Sequence, residues 1–159
     1  MRVLFLVLLL GLSTSSIADE LHWIINGKAI HLEGGDYNEA NWGTGLEYDF
    51  TPHNNWTKFI HASYFKDSNY NISKYAGGGM KRRYHLDDSK DGWFADAGFI
   101  AFLMTRKDYN DNKPFPGILP FLSVGNGPVA LNMTYIPRVS PKHRALLYFQ
   151  VQVRVASFD

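Results

Sequence analysis

The sequence predicts an all-β fold, an eight-stranded antiparallel transmembrane β-barrel of the outer-membrane type, and three observations support this class. The 159-residue chain is 45% hydrophobic and 15% aromatic, a composition that excludes intrinsic disorder. Apolar and polar residues alternate over short segments separated by turns, which is the period of β-strands. Beyond the N-terminus no apolar run reaches the ~18 residues that a helical membrane span requires.

Charge and cysteine content exclude several functional classes. Lys and Arg total 16 against 15 for Asp and Glu, so the net charge is +1 and a nucleic-acid partner is not expected. The absence of cysteine excludes disulfides, thiolate zinc sites and cysteine nucleophiles. The six histidines do not have metal-ligand spacing, so we expect neither a metal nor another cofactor.

The N-terminus has the features of a secretory signal peptide. Arg2 precedes a short apolar core at 3–12, and Ser16 and Ala18 are small residues that suit a cleavage site. We expect cleavage after Ala18 and Sec-dependent export, with 19–159 forming one barrel domain. The alternative is a single-span anchor, for which the apolar run is short of the ~20 residues required.

Eight strands follow in order, each closed by a cluster of Gly, Pro, Asn, Asp or Ser that favours a turn. The predicted strands are 21–32, 41–51, 56–66, 73–85, 93–106, 114–124, 128–138 and 145–157. The second, seventh and eighth alternate most regularly. The length of each suits the ~9–11 residues with which a barrel strand crosses a membrane.

A soluble eight-stranded barrel such as a lipocalin would have the opposite polarity, with its apolar face inside. Two features favour the membrane. Glu47, Asp49 and Arg154 suit a packed polar interior, and aromatic residues at strand ends suit an interfacial girdle: Trp42, Phe50, Trp56, Phe65, Trp93, Tyr135 and Tyr148. On the eighth strand, the membrane interpretation predicts that Gln150, Gln152 and Arg154 point inward and that Phe149, Val151, Val153 and Val155 point outward.

The fifth strand differs because both of its faces are apolar over its second half. Phe99, Ala101 and Leu103 occupy one face, and Ile100, Phe102 and Met104 occupy the other. An apolar interior favours either a buried hydrocarbon ligand or a tightly packed core, and the sequence leaves both open.

Asp67 and Ser68 follow the third strand at the start of a polar loop. A serine beside an acid could act as a nucleophile with a helper if a histidine reached it. The same dipeptide is also common in ordinary turns.

Several motifs resemble the PagP family of outer-membrane lipid A palmitoyltransferases. They are Phe65-Lys66-Asp67-Ser68, the glycine run 77–79, the segment 116–129 and Met133-Thr134-Tyr135-Ile136-Pro137. The similarity extends over about residues 42–137. It implies an eight-stranded barrel that transfers palmitate from the sn-1 position of a glycerophospholipid to lipid A, without a cofactor. The implied setting is a monomer inserted by the barrel-assembly machinery into the outer membrane of a Gram-negative-type bacterium.

The resemblance also implies roles for individual residues. His31, Asp67 and Ser68 would be catalytic, with His31 as general base and Asp67 as the group that orients or stabilises its imidazole. Gly79 would form the floor of an acyl pocket and so set the acyl length. Pro120 and Pro137 would weaken strand pairing and open a lateral gate for lipid, because proline cannot donate to a β-ladder.

Three departures leave alternatives open. The family's N-terminal amphipathic helix has no room before the first strand, Asn41 stands where a gate proline is expected, and His22 competes with His31 for the catalytic role. We prefer His31 because it ends the first strand beside a loop. A lipid A deacylase or phospholipase on the same barrel, and a non-enzymatic small barrel encoded by a bacterium or a phage, remain alternatives.

Overall fold

A computed structural model describes residues 18–89, 91–138 and 144–158, and in it eight strands close into one antiparallel barrel in chain order. Each predicted strand is confirmed, with both ends within two residues of the prediction. The strands are β1 (Asp19–His31), β2 (Ala40–Asp49), β3 (Trp56–Lys66), β4 (Ile72–His85), β5 (Trp93–Thr105), β6 (Phe115–Asn126), β7 (Val129–Ile136) and β8 (Leu146–Phe158).

The barrel has two rims with different connections. We call upper the rim where β1, β3 and β5 end, which carries the loops 32–39, 67–71 and 106–114. The lower rim carries the connections 50–55, 86–92 and 127–128. It also carries the paired residues Asp19 and Phe158, where β8 closes onto β1. Most of the predicted signal peptide, residues 1–17, lies outside the described residues.

The barrel has a polar interior and an apolar exterior. On β8, Gln150 and Gln152 are buried, whereas Val155 is more than half exposed. Large apolar side chains cover the outer surface, among them Trp23, Trp42, Leu46, Ile60, Leu103, Ile118, Leu122 and Leu131. This distribution suits a surrounding medium of lipid and contradicts the soluble-barrel alternative. Throughout 18–89, 91–138 and 144–158, no helix has the length and apolarity needed for a membrane span.

Ion pairs fill the lower half of the interior. The Lys81 ammonium lies 2.6 Å from Asp49 and 2.8 Å from Glu47, and Arg83 donates two hydrogen bonds of 2.9 Å to Asp96. His61 and Gln152 also bond the Glu47 carboxylate, at 2.9 Å each. Because buried charges are costly unless they are paired, the partners on different strands hold the barrel in one register.

Higher in the barrel, neutral hydrogen bonds continue this network along one wall. Tyr75 links the His61 ring at 2.8 Å to Gln150 at 2.9 Å, and Gln150 donates to Asn26 at 2.7 Å. Asn26 in turn donates to Ser63 at 2.7 Å. The wall formed by β1, β3, β4 and β8 is therefore polar at this level. Above it, Phe65 and Tyr148, which we expected in an interfacial girdle, are instead buried and form a hydrophobic cluster with Ala29.

The opposite wall, formed by β5, β6 and β7, is apolar. Its inward side chains are only partly buried: Ile100, Phe102, Met104, Leu119, Phe121 and Ile136. Two of them, Met104 and Ile136, pack against the buried Phe65 and Tyr148. Phe59 reaches across from β3 and meets Phe121 edge-to-face, with ring centroids 5.8 Å apart. The Lys81 ammonium lies 5.4 Å from the Phe59 ring. The two phenylalanines therefore form a floor between the charged lower half and the apolar upper space.

One seam of the barrel is incomplete. Strand β6 pairs with β5 along its whole length, from Phe115 to Asn126. Its ladder with β7 ends at Phe121 and Thr134, so that within the described residues 115–120 have no ladder partner on β7. The break falls at Pro120, which has no N–H to donate. An opening between β6 and β7 thus adjoins the apolar wall.

Candidate functional site

His31 is the last residue of β1 and lies at the upper rim. Its side chain is only 4% exposed, and its ring stacks on Tyr37 with centroids 4.3 Å apart. The nearest carboxylate is Glu39, whose Oε1 lies 3.7 Å from His31 Nδ1 and accepts a hydrogen bond of 3.2 Å from the His31 backbone N–H. The imidazole therefore sits in a defined pocket with an acidic neighbour.

Asp67 follows β3 at the same rim, but its carboxylate organises its own loop. Oδ1 accepts the backbone N–H groups of Asn69 and Asn71 at 2.9 and 3.0 Å, and Oδ2 accepts the Ser73 hydroxyl at 2.8 Å. Arg106 approaches to 3.9 Å. The carboxylate beside the imidazole is that of Glu39. The role that we expected of Asp67, orienting His31, stays a prediction.

Asn38 connects the loop 32–39, which contacts His31, to the loop that contains Asp67 and Ser68. Its backbone N–H donates to the Ser68 carbonyl at 2.9 Å, and its side chain donates to the Asp67 carbonyl at 3.0 Å. Since Asn38 lies between Tyr37 and Glu39, the segment that contacts His31 is fastened to the Asp67–Ser68 loop. His31, Asp67 and Ser68 therefore lie at one rim, on neighbouring loops that are joined directly.

A second acidic residue of the first loop, Glu33, links this loop to the β7–β8 connection. Its carboxylate lies 2.6 Å from Arg144 and 3.4 Å from Arg138. The hydrogen bond from Arg144 holds the pKa of the Glu33 carboxyl below its usual value. Glu33 therefore stays ionised at neutral pH as a link between loops.

His22 occupies a different environment from His31. It lies nine residues earlier on β1, about 30 Å away along the strand at ~3.3 Å per residue. Its ring faces Glu20 at 3.3 Å and Asp49 at 3.2 Å inside the charged lower half. This position lies far from the Asp67–Ser68 loop, so the geometry favours His31 as the histidine of an upper-rim site.

The fold brings together one cluster of potential metal ligands that is not evident from their spacing in the sequence. Ligand atoms of Glu20, His22 and Asp49 lie within 4.8 Å of one another. Both carboxylates already have cationic partners, since Arg154 lies 2.7 Å from Glu20 and Lys81 lies 2.6 Å from Asp49. A divalent cation would have to displace these partners, so we assign no metal to the cluster.

Gly79 faces the interior, level with Phe59. A Cβ added there would overlap the Phe99 carbonyl oxygen and come within 2.7 Å of the Phe59 ring. Gly78 faces outward, where a Cβ would lie 3.7 Å from Ile60. Gly79 thus permits the close approach of β4 to β5 beside the aromatic floor, and any side chain there would strain the backbone.

The two predicted gate prolines flank the incomplete seam. Pro120 lies where the β6–β7 ladder ends, and Pro137 follows the last residue of β7. Asn41, at the place of the missing proline, is buried and donates a 2.8 Å hydrogen bond to the Lys66 carbonyl. That side chain fastens β2 to β3.

Sequence reasoning missed Tyr37, Asn38 and Glu39. They stand in a polar stretch directly before β2 and resemble an ordinary loop, because no periodicity or motif distinguishes them. Only the folded barrel shows that this stretch contacts the end of β1 and the loop after β3.

The architecture and the site together define a class of protein: a small membrane barrel with a polar, histidine-containing site at one rim and an apolar inner wall below it. The family model described as "Antimicrobial peptide resistance and lipid A acylation protein PagP" matches residues 30–151. The chain belongs to the PagP family, which confirms the resemblance in the sequence.

Individual relatives agree with this assignment. The chain is 38% identical over 104 residues to "Lipid A acyltransferase PagP" of Laribacter hongkongensis, covering 64% of this chain and 48% of that protein. It is 34% identical over 102 residues to the protein of the same name from Bordetella pertussis Tohama I, covering 64% and 54%. For the Shigella flexneri protein of that name the identity is 37% over 103 residues, covering 64% and 53%. The chain spans about half the length of these relatives.

A solved structure with a partly similar fold is that of the Yersinia pestis outer membrane protein Ail in a phospholipid bilayer nanodisc. It aligns with a TM-score of 0.45 at 9% identity, covering 86% of this chain and 99% of that chain.

Proposed function

We propose that this protein is an outer-membrane acyltransferase that moves an acyl chain, palmitate by family resemblance, from a glycerophospholipid to lipid A. Membership of the PagP family supports the reaction class. The observation that carries the proposal is the incomplete β6–β7 ladder beside an apolar inner wall. A water-filled pore does not require an apolar wall, whereas an acyl chain entering from the membrane would bury its methylenes against one.

In the proposed reaction His31 acts as general base at the upper rim. Its imidazole takes the proton of the attacking hydroxyl, which is that of lipid A in direct transfer or that of Ser68 if an acyl-enzyme forms. The ester bond to the phospholipid glycerol breaks as the new ester bond forms, and the imidazolium returns the proton to the departing glycerol oxygen. The products are acylated lipid A and a lysophospholipid.

Asp67 supports this chemistry indirectly. By accepting two backbone N–H groups and the Ser73 hydroxyl, it fixes the loop that presents Ser68. Ser68 would act as nucleophile or donate to the developing oxyanion. The apolar interior would keep water from the acyl chain and so favour transfer over hydrolysis.

The lengths of the loops at the two rims indicate how the proposed enzyme is oriented in the membrane. The upper rim faces the cell exterior, because outer-membrane barrels place their longer loops outside and their short turns in the periplasm. Sec-dependent export, insertion by the barrel-assembly machinery into the outer membrane of a Gram-negative-type bacterium and a monomeric state complete the proposal. Lipid A and glycerophospholipid are the partners.

Mass spectrometry of lipid A from cells that express the protein tests the proposal. We expect a lipid A species heavier by one acyl chain, absent from cells that express Ser68→Ala at equal level. Loss of an acyl chain would indicate a deacylase instead, and an unchanged lipid A profile with a correctly folded barrel would favour a structural role.

A further inference from the structure

The imidazole of His31 needs a partner that fixes its orientation. A general-base histidine is effective when one ring nitrogen donates a hydrogen bond to an acceptor and the other stays unprotonated toward the substrate. In this structure His31 Nδ1 is buried and has no hydrogen-bond partner among the described residues. Its closest acidic oxygen is Glu39 Oε1, at 3.7 Å.

We propose that Glu39 is the positioning residue of His31, an inference that rests on the proposed function. A closure of less than about 1 Å would give an Nδ1–H···Oε1 hydrogen bond within the usual distance. That bond would fix the tautomer with an unprotonated Nε2 and balance the charge of the imidazolium formed during proton transfer. Catalytic hydrogen bonds are often long in a free enzyme and shorten with substrate, so the present separation suits this role.

Four contacts hold Glu39 and the ring in place for this interaction. The Glu39 backbone carbonyl accepts the Ala29 N–H at 2.9 Å, and its carboxylate accepts the His31 N–H at 3.2 Å. Lys28 lies 3.9 Å from the second carboxylate oxygen, and Tyr37 stacks on the imidazole face. The Glu39 side chain is still 41% exposed, so it has room to approach the ring.

Two substitutions separate charge from hydrogen bonding at this position. Glu39→Gln keeps an acceptor oxygen but removes the charge, whereas Glu39→Met removes both. Glu33→Met is the matched control, because Glu33 is a carboxylate of the same loop that pairs with Arg138 and Arg144. Heat-modifiable migration on gels verifies that each barrel is folded.

The readouts are the kcat and KM of acyl transfer and the tautomer of His31, measured by ¹⁵N NMR of histidine-labelled protein in micelles. We expect Glu39→Met to lower kcat about 100-fold with little change in KM, Glu39→Gln to fall between it and wild type, and Glu33→Met to match wild type. The Nδ1–H tautomer should dominate in wild type and lose its dominance in Glu39→Met.

The inference is overturned if Glu39→Met keeps wild-type kcat, or if kcat falls while the tautomer stays unchanged, since the latter marks a merely structural role. If wild type transfers no acyl chain but the tautomer responds to Glu39→Met, the proposed function fails while the pairing of Glu39 with His31 stands.

Discussion

At the level of single residues, His31 differs from His22 in what surrounds it. His31 adjoins the Asn38–Ser68 link at the upper rim, whereas His22 lies among Glu20 and Asp49 in the charged lower half. We expect His31→Ala to lower acyl transfer by about 100-fold or more, the usual contribution of a general base. His22→Ala should retain transfer and mainly lower stability. Initial rates of purified, folded variants measure this, and full activity in His31→Ala would reject the assignment.

Sequence reasoning reached some of these residues and missed others for a physical reason. The sequence alone pointed to His31, Asp67 and Ser68 because they end strands or belong to a recognisable motif. Glu39 and Asn38 were missed because their contacts join the first loop to the ends of β1 and β3. The sequence does not show which residues this loop meets in the folded barrel. The sequence also did not show that the Asp67 carboxylate accepts backbone N–H groups of its own loop, because these hydrogen bonds depend on the folded loop.

At the level of elements, the β6–β7 seam carries the prediction about lipid entry. Leu119 and Ile136 each lie two residues beyond the last pair of the ladder, Phe121 and Thr134. Cysteines at these two positions should allow a disulfide that closes the opening. The protein has no cysteine of its own, so the cross-link would be unambiguous. We expect oxidation to abolish acyl transfer and reduction to restore it.

The matched control joins two strands that are already paired. Ala101 and Ile118 face each other in the complete β5–β6 ladder, and cysteines there should cross-link without effect on transfer. Equal inhibition by both disulfides would show only a general need for flexibility, and activity in the oxidised Leu119/Ile136 variant would contradict entry through this seam.

The Phe59–Phe121 floor carries a prediction about acyl length. Phe121→Leu shortens one ring of the floor and should shift the transferred acyl chain toward a longer one, because each buried methylene contributes ~0.8 kcal/mol, about fourfold in selectivity. Gly79→Met should instead lower the yield of folded barrel, since its Cβ overlaps the Phe99 carbonyl. Competition between phospholipids of different chain length measures the first effect, and unchanged selectivity in Phe121→Leu would reject the floor.

At the level of the whole molecule, stability depends on paired charges inside and apolar side chains outside. Lys81→Met would leave Glu47 and Asp49 without their shared cation, and breaking a buried ion pair costs about 3–5 kcal/mol. We expect the free energy of unfolding in urea, measured in lipid vesicles, to fall by about that amount. Lys58→Met, the same substitution at an exposed position of β3, should leave it nearly unchanged. Equal stability of both variants would contradict the structural role of the network.

The global fold could be predicted because alternation and turn residues are local signals. They define strand limits within two residues and the direction in which Gln150 and Gln152 point. The division of the interior into a charged lower half, a polar wall and an apolar wall could be foreseen only on β5. It arises from strands distant in sequence, as when Phe59 of β3 meets Phe121 of β6.

Acyl transfer between two lipids, which we propose for this barrel, can be measured with purified protein. Mixed vesicles would contain lipid A and a phospholipid with ¹³C-labelled palmitate at sn-1, and mass spectrometry would follow the label. We expect labelled lipid A and an equal amount of lysophospholipid, both absent with Ser68→Ala. Labelled free fatty acid with unaltered lipid A, or no movement of the label by a folded barrel, would contradict it.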